Sequence, residues 1–148
     1  MRLPPRVCCF LIHQLLTAVS HLRRHRIIHR HIRPSSILIQ DANVERPEYM
    51  RVILGGFQIA RPTEVYEEEM EDARYSPLRN LGGRTLWYKP PEILLGLTEQ
   101  PEPEPVTYSY AVDVWACGCI LAEMAGGNPI FPGDGYKTEL GQILSIFR

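Results

Sequence analysis

Residues Ala111 to Ala125 are apolar on almost every side, with Asp113 and Glu123 the exceptions. A helix that is hydrophobic all round has no face to give to water, so it must run through the middle of a packed unit. Gly126-Gly127 ends it. Val7, Leu11, Leu15, Val19 and Leu22, with Phe10 and Ala18 beside them, recur at helical spacing. They predict an amphipathic helix over about residues 6–24. Ile37 to Gln40 and Arg51 to Leu54 read as two short strands around the turn-like Asp41 to Tyr49, one hairpin in all. Tyr136 to Phe147 reads as a final amphipathic helix. The expected class is mainly α (α+β), a single domain over 1–148 with one short β-hairpin and no internal repeat.

Two segments stand apart. Arg61 to Gly83 carries Glu64, Glu67, Glu68, Glu69, Glu71 and Asp72 with few apolar anchors and reads as a mobile loop. Residues 97–107 include Glu99-Gln100-Pro101-Glu102-Pro103-Glu104-Pro105, an extended, solvated spacer. Apolar content of 45% and charged content of 22% suit an ordinary folded domain. A net charge of −1 leaves no electrostatic footprint for nucleic acid or an anionic membrane. The short run Val7 to Ile12 is not a signal peptide's apolar core, and no stretch reaches the roughly 18–20 apolar residues that span a bilayer. Cys8, Cys9, Cys117 and Cys119 form two tight pairs within predicted helices, spaced for neither a disulfide nor a paired zinc motif. Reduced, buried thiols in cytoplasm or nucleus are expected. His21, His25 and His29 fall four apart, a spacing that can hold zinc, but no Cys or carboxylate completes a set, so no metal is expected there.

Four motifs follow one another. The first is Ile28-His29-Arg30-His31-Ile32-Arg33-Pro34-Ser35-Ser36-Ile37-Leu38-Ile39, over 28–39. The second is Val52-Ile53-Leu54-Gly55-Gly56-Phe57-Gln58-Ile59-Ala60-Arg61. The third is Thr85-Leu86-Trp87-Tyr88-Lys89-Pro90-Pro91-Glu92-Ile93-Leu94-Leu95-Gly96. The last starts at Tyr108, runs through Asp113-Val114-Trp115-Ala116-Cys117-Gly118 to Met124, and is followed by Asn128-Pro129-Ile130-Phe131-Pro132-Gly133. In order and spacing they resemble the catalytic loop (H-R-D-L-K-P-x-N), the D-F-G segment, the T-L-W-Y-R-A-P-E block and the central helix of protein kinases. The third and fourth are similar to those of cyclin-dependent kinases in the CMGC group. Residues 55–92 then resemble an activation segment.

The resemblance implies a partial C-terminal lobe. A kinase domain runs to roughly 250 residues or more, and the glycine-rich loop and the V-A-I-K lysine with its helix Glu partner have no counterpart among these 148. It also implies where the chemistry would be. The family's catalytic Asp is His31 here, its Lys is Arg33, its metal-binding Asn is Ser36 and its metal-binding Asp is Gly56. Phosphoryl transfer is mostly positioning plus charge neutralisation, with an Asp taking the hydroxyl proton and an Asn and an Asp holding Mg²⁺. His31 has a near-neutral ordinary pKa and can accept a proton in principle, but it offers no balancing charge. Gly56 offers no ligand, and Ser36 one weak hydroxyl where Mg²⁺ needs hard oxygens. Neither ATP nor Mg²⁺ is therefore expected as a cofactor.

The retained residues have structural or regulatory counterparts. His29 and Phe57 match a hydrophobic spine, and Asp113 matches the Asp that holds the catalytic loop's backbone, a role compatible with a helix-start carboxylate. Glu92 matches a glutamate that pairs with an Arg from a later helix. Arg30 and Arg61 match positions around an activation-loop phosphate. The usual phospho-Thr falls near Asn80; Thr63, Tyr75 and Ser76 remain as acceptors. The acidic run Glu67–Asp72 either folds onto Arg30 and Arg61 or, as is commoner for such runs, stays a solvated face.

The resulting reading is a cyclin-dependent-kinase-like pseudokinase fragment that acts by binding protein, such as a related kinase or a regulatory protein. The absent small-lobe helix speaks against cyclin binding. The alternatives are a partial product of a serine/threonine kinase and a decayed gene product. With a covering lobe missing, Ile28, Phe57, Trp115 and Ile120 are expected to be partly exposed.

Overall fold

The computed structural model describes residues 2–63, 83–97, 109–133 and 138–148. Helix α1 spans Pro5–Arg24, with a proline in its first turn and His21, Arg23 and Arg24 in its last. Proline costs nothing where the N–H would be orphaned anyway, and cations suit the negative end of the helix dipole. Its buried stripe is Val7, Cys8, Leu11, Leu15 and Val19, spaced by three and four.

Strand β1 (Ile27–Ile28) leads into the loop, β2 (Ile37–Gln40) pairs antiparallel with β3 (Arg51–Leu54), and β4 (Arg61–Pro62) returns to β1. The β2–β3 register joins Ile37 to Leu54 and Gln40 to Arg51. Gln14 fastens this hairpin to α1: its amide donates to the Met50 carbonyl at 3.1 Å and accepts from the Val52 N–H at 3.1 Å. The β1–β4 pair is an addition to the single expected hairpin. Two residues a side are too few to show a period in sequence.

Helix α2 is Pro91–Leu97, α3 is Ala111–Gly126 and α4 is Glu139–Ile146. Gly127 caps α3 at φ 84, with its N–H on the Glu123 carbonyl at 2.7 Å, a left-handed stop that favours glycine. Helix α3 packs on α1 around Leu15, Val19, Ile32, Tyr88, Ala116, Cys117, Cys119 and Ile120. A second cluster of Leu86, Leu94 and Ile143 ties α2 to α4. Among the described residues no helix is long and apolar enough to cross a membrane.

Four expectations change. Ile28 and Ile120 are buried, not exposed, because Ile28 packs on Ile93 and Val112 while Ile120 joins the α1–α3 core. Helix α3 is not covered all round: Val114 and Leu121 reach solvent. Cys9 is exposed, on the outer side of α1, whereas Cys8, Cys117 and Cys119 are buried; all four are free thiols. The last helix begins at Glu139, capped by the Thr138 hydroxyl accepting the Gly141 N–H at 3.1 Å. Phe57 is exposed as expected, and Trp115 is half-buried, stacked on Phe131. The expected acidic loop beyond Thr63, the Pro-Glu spacer from residue 98 to 107, and Tyr75, Ser76 and Asn80 lie outside the described residues.

Candidate functional site: a loop anchored by a buried carboxylate

The loop from His29 to Ser36 is held by a buried carboxylate on α3. Asp113, 2% exposed, accepts the His29 N–H at 2.8 Å on one oxygen and the Arg30 N–H at 2.9 Å on the other. Two donors on one anion fix the backbone just where Arg30 takes a left-handed φ of 64. Burial pushes the Asp113 pKa up, opposed by those same two N–H bonds.

His29 is fully buried and bonds three ways. Its Nε2 meets the Gly55 carbonyl at 2.9 Å and its Nδ1 meets the His31 N–H at 3.2 Å. A carbonyl can only accept and an N–H can only donate, which assigns the ring proton to Nε2. The Phe57 ring stands edge-on to it at 4.7 Å. His29 therefore links the loop, α3 and the segment after β3 in one node.

Ser36 sits where a metal ligand stands in the family, but its hydroxyl is already committed. It accepts the Arg33 N–H at 3.0 Å and donates to the Arg33 carbonyl at 2.8 Å, closing the short turn Pro34–Ser36. Gly56 follows at φ 82, with Ser36 Cβ 3.1 Å from where its own Cβ would lie. That backbone shape favours glycine but is one that Asp enters more readily than most residues. Among the described residues no group of His, Cys, Asp and Glu is arranged to hold a metal ion.

Arg30 turns its Nε to the Ile59 carbonyl at 2.7 Å, bracing the segment after β3. Arg61 is exposed and bonds the Ala60 carbonyl. Glu92 is solvated at the start of α2. Thr63 Oγ1 lies 3.2 Å from the Tyr110 hydroxyl.

A protein kinase domain model matches residues 1–148. The chain belongs to the protein kinase family. Within that family it resembles cyclin-dependent kinases of the CMGC group. It is 34% identical to cyclin-dependent kinase 2 of Caenorhabditis elegans over 150 aligned residues, 99% of this chain and 32% of that protein. It is 37% identical to cell division control protein 2 homolog 3 of Trypanosoma brucei brucei over 142, covering 93% of this chain and 36% of that one. The crystal structure of the yeast RNA Pol II CTD kinase CTDK-1 complex superimposes with a TM-score of 0.70 at 31% identity, over 99% of this chain and 39% of that one. This kinase-family chain thus spans about a third of the length of these relatives and matches a partial kinase lobe.

Two groups in the kinase-type cleft titrate unusually. Burial, and then Arg33, Lys89 and His29, lower His31 from 6.5 to about 4, so its ring is neutral at pH 7. Lys89, 5% exposed, is lowered from 10.5 to about 8 by burial and then by Arg30, with Glu139 on α4 pulling it back. Lys89 went unremarked as a site residue, because a lysine inside a motif gives no sign of burial. Tyr88, beside it, donates to the Glu123 carboxylate at 2.7 Å.

Lys89 predicts a measurable pH effect. Between about pH 8 and 10.5 the unfolded chain holds the Lys89 proton and the folded chain sheds it, so this group's contribution to stability rises with pH. Across that window the gain is about 3 kcal/mol, at about 1.4 kcal/mol per pH unit. Cys117 and Cys119, raised by burial to about 12 and about 11, act in the opposite sense above pH 9. The comparison is therefore between wild type and Lys89→Met by urea unfolding at pH 7 and pH 10. The variant should be the more stable at pH 7 and lose that advantage at pH 10; a constant difference would refute the assignment.

Proposed function

We propose that this chain is a cyclin-dependent-kinase-like pseudokinase that acts through protein binding, not phosphoryl transfer. One observation carries the reading: both metal-ligand positions are empty of ligands, Gly56 having no side chain and Ser36 spending its hydroxyl on Arg33. At the proton-accepting position stands His31, whose ring is neutral at pH 7 and so brings no negative charge to the site. Losing a positioned base alone typically costs ~10²–10⁴ in rate. Meanwhile the elements that shape the loop, His29, Arg30, Phe57 and Asp113, keep their bonding. Leu38, Ile53 and Phe57 are exposed beside it, apolar surface of the kind that marks interfaces. The partner class that suits the reading is a related kinase or regulatory protein in cytoplasm or nucleus.

Mg-ATP should leave the melting temperature of the purified chain unchanged, in thermal-shift titration with and without Mg²⁺. A saturating, metal-dependent rise would overturn the proposal. It would favour the second reading, a serine/threonine kinase segment, which rests on the family match alone.

A further inference from the structure

A cavity of about 330 Å³ opens where α1, the β2–β3 hairpin and α3 meet. Part of its lining is core: Leu11, Leu15 and Ile120 are buried. Ile37 and Val52 are half-buried in the wall, and Ile39 is exposed at it. Protein interiors hold few voids larger than a water molecule, so a hollow of this size is no packing fault. It falls within the range of small-molecule sites, about 300–1,000 Å³, which are lined mostly by apolar groups with a few polar ones to fix orientation. The walls are braced against each other. Gln14 on α1 bonds the Met50 carbonyl and the Val52 N–H, and α1 packs on α3 through Leu15 and Ile120.

One charged side chain belongs to this lining. Helix α3 contributes Ile120, Glu123, Met124 and Gly127, which lie three, four and seven residues on from the first and so share one helical face. That spacing sets the Glu123 side chain on the cavity side with Ile120 and Met124. Its Oε2 accepts the Tyr88 hydroxyl at 2.7 Å, and among the described residues no Lys or Arg stands within ion-pair distance of it. Arg33, the cation felt at Tyr88, is not among the groups that line the cavity. A carboxylate offers about four acceptor sites, so Oε1 is left to take a donor.

We propose that this cavity binds a small apolar molecule carrying one ammonium group, with its apolar body against Leu11, Ile37 and Met124 and its N–H on Glu123 Oε1. An anionic head group there would meet a carboxylate, and a wholly polar molecule would lose its hydration against an apolar wall. A charged donor on a carboxylate makes one of the stronger hydrogen bonds. The thioether side chain of Met124 adapts to the shape of what enters. His31, Ser36 and Gly56 take no part in the lining, so the site stands whether or not the chain transfers phosphate.

The test is an NMR titration of the 148-residue chain, labelled at isoleucine and methionine methyls, with 4-phenylbutylamine, 4-phenylbutanol and 4-phenylbutyrate. The amine should shift the Ile12, Ile37, Ile39 and Met124 methyls saturably, at least threefold more tightly than the alcohol and at least tenfold more tightly than the acid. Glu123→Gln keeps an acceptor for Tyr88 and should bring amine and alcohol within twofold of each other. Ile39→Trp, at a position 41% exposed, puts a larger ring into the cavity from its open side and should weaken the amine at least tenfold. Either variant suffices if the other fails to fold. No saturable shift of these methyls with any of the three compounds, or indifference to both variants, would overturn the proposal. Alcohol or acid binding to the wild type as tightly as the amine would overturn it too, by showing that Glu123 selects nothing.

Discussion

Asp113→Ala should cost the fold about 3–5 kcal/mol, a large part of what a domain of this size has. The substitution removes little packing, but it takes away the acceptor of two N–H donors, those of the buried His29 and the half-buried Arg30. It also releases Arg30 from the restraint that holds its left-handed φ of 64. Asp113→Asn should fall between, since the amide oxygen can still accept one of the two. Urea unfolding of the three proteins measures this directly. A loss below 1 kcal/mol for the alanine variant would mean that the loop N–H groups find other partners and that α3 does not anchor the loop.

The second large expectation is a failure to repair. His31→Asp, Ser36→Asn and Gly56→Asp together should give no phosphate transfer above a matched variant with Ala at position 31. An Asp at position 56 is strained by the left-handed backbone and by Ser36 Cβ 3.1 Å away, so folding of the triple variant is checked by urea unfolding beside the assay. The obstacle is that catalytic groups act as a unit, and these 148 residues contain no glycine-rich phosphate loop or V-A-I-K lysine. Asn at 36 would further remove the hydroxyl that closes the Pro34–Ser36 turn. Transfer of phosphate to a generic protein substrate by the triple variant alone would show that those parts are dispensable.

What could be read in advance followed from strong periodicity and from motif spacing. The stripe Val7, Leu11, Leu15 and Val19, four residues apart, and the two short apolar runs around a turn gave α1, β2 and β3 their places. Two-residue β1 and β4 gave no pattern, since two residues a side are too few to show a period. The bonding of the candidate site residues was not legible in the sequence. Ser36 reads as a weak ligand in sequence, and only geometry shows its hydroxyl folded back on Arg33. Burial of Lys89 was equally hidden, because it lies where the loop, α2 and α3 converge, far apart along the chain. Ile28 and Ile120 were misjudged for the same reason: their cover comes from Ile93, Val112 and the α1 stripe.

His31 has a consequence for where such a cleft can work. Histidine at an exposed site is the usual sensor of mild acid, switching charge as vesicles acidify. Held at about 4, this one stays uncharged through the whole span from a neutral cytosol to a mildly acidic vesicle. The His31 ring is deaf to mild acidification, and Lys89, lowered to about 8, answers on the alkaline side.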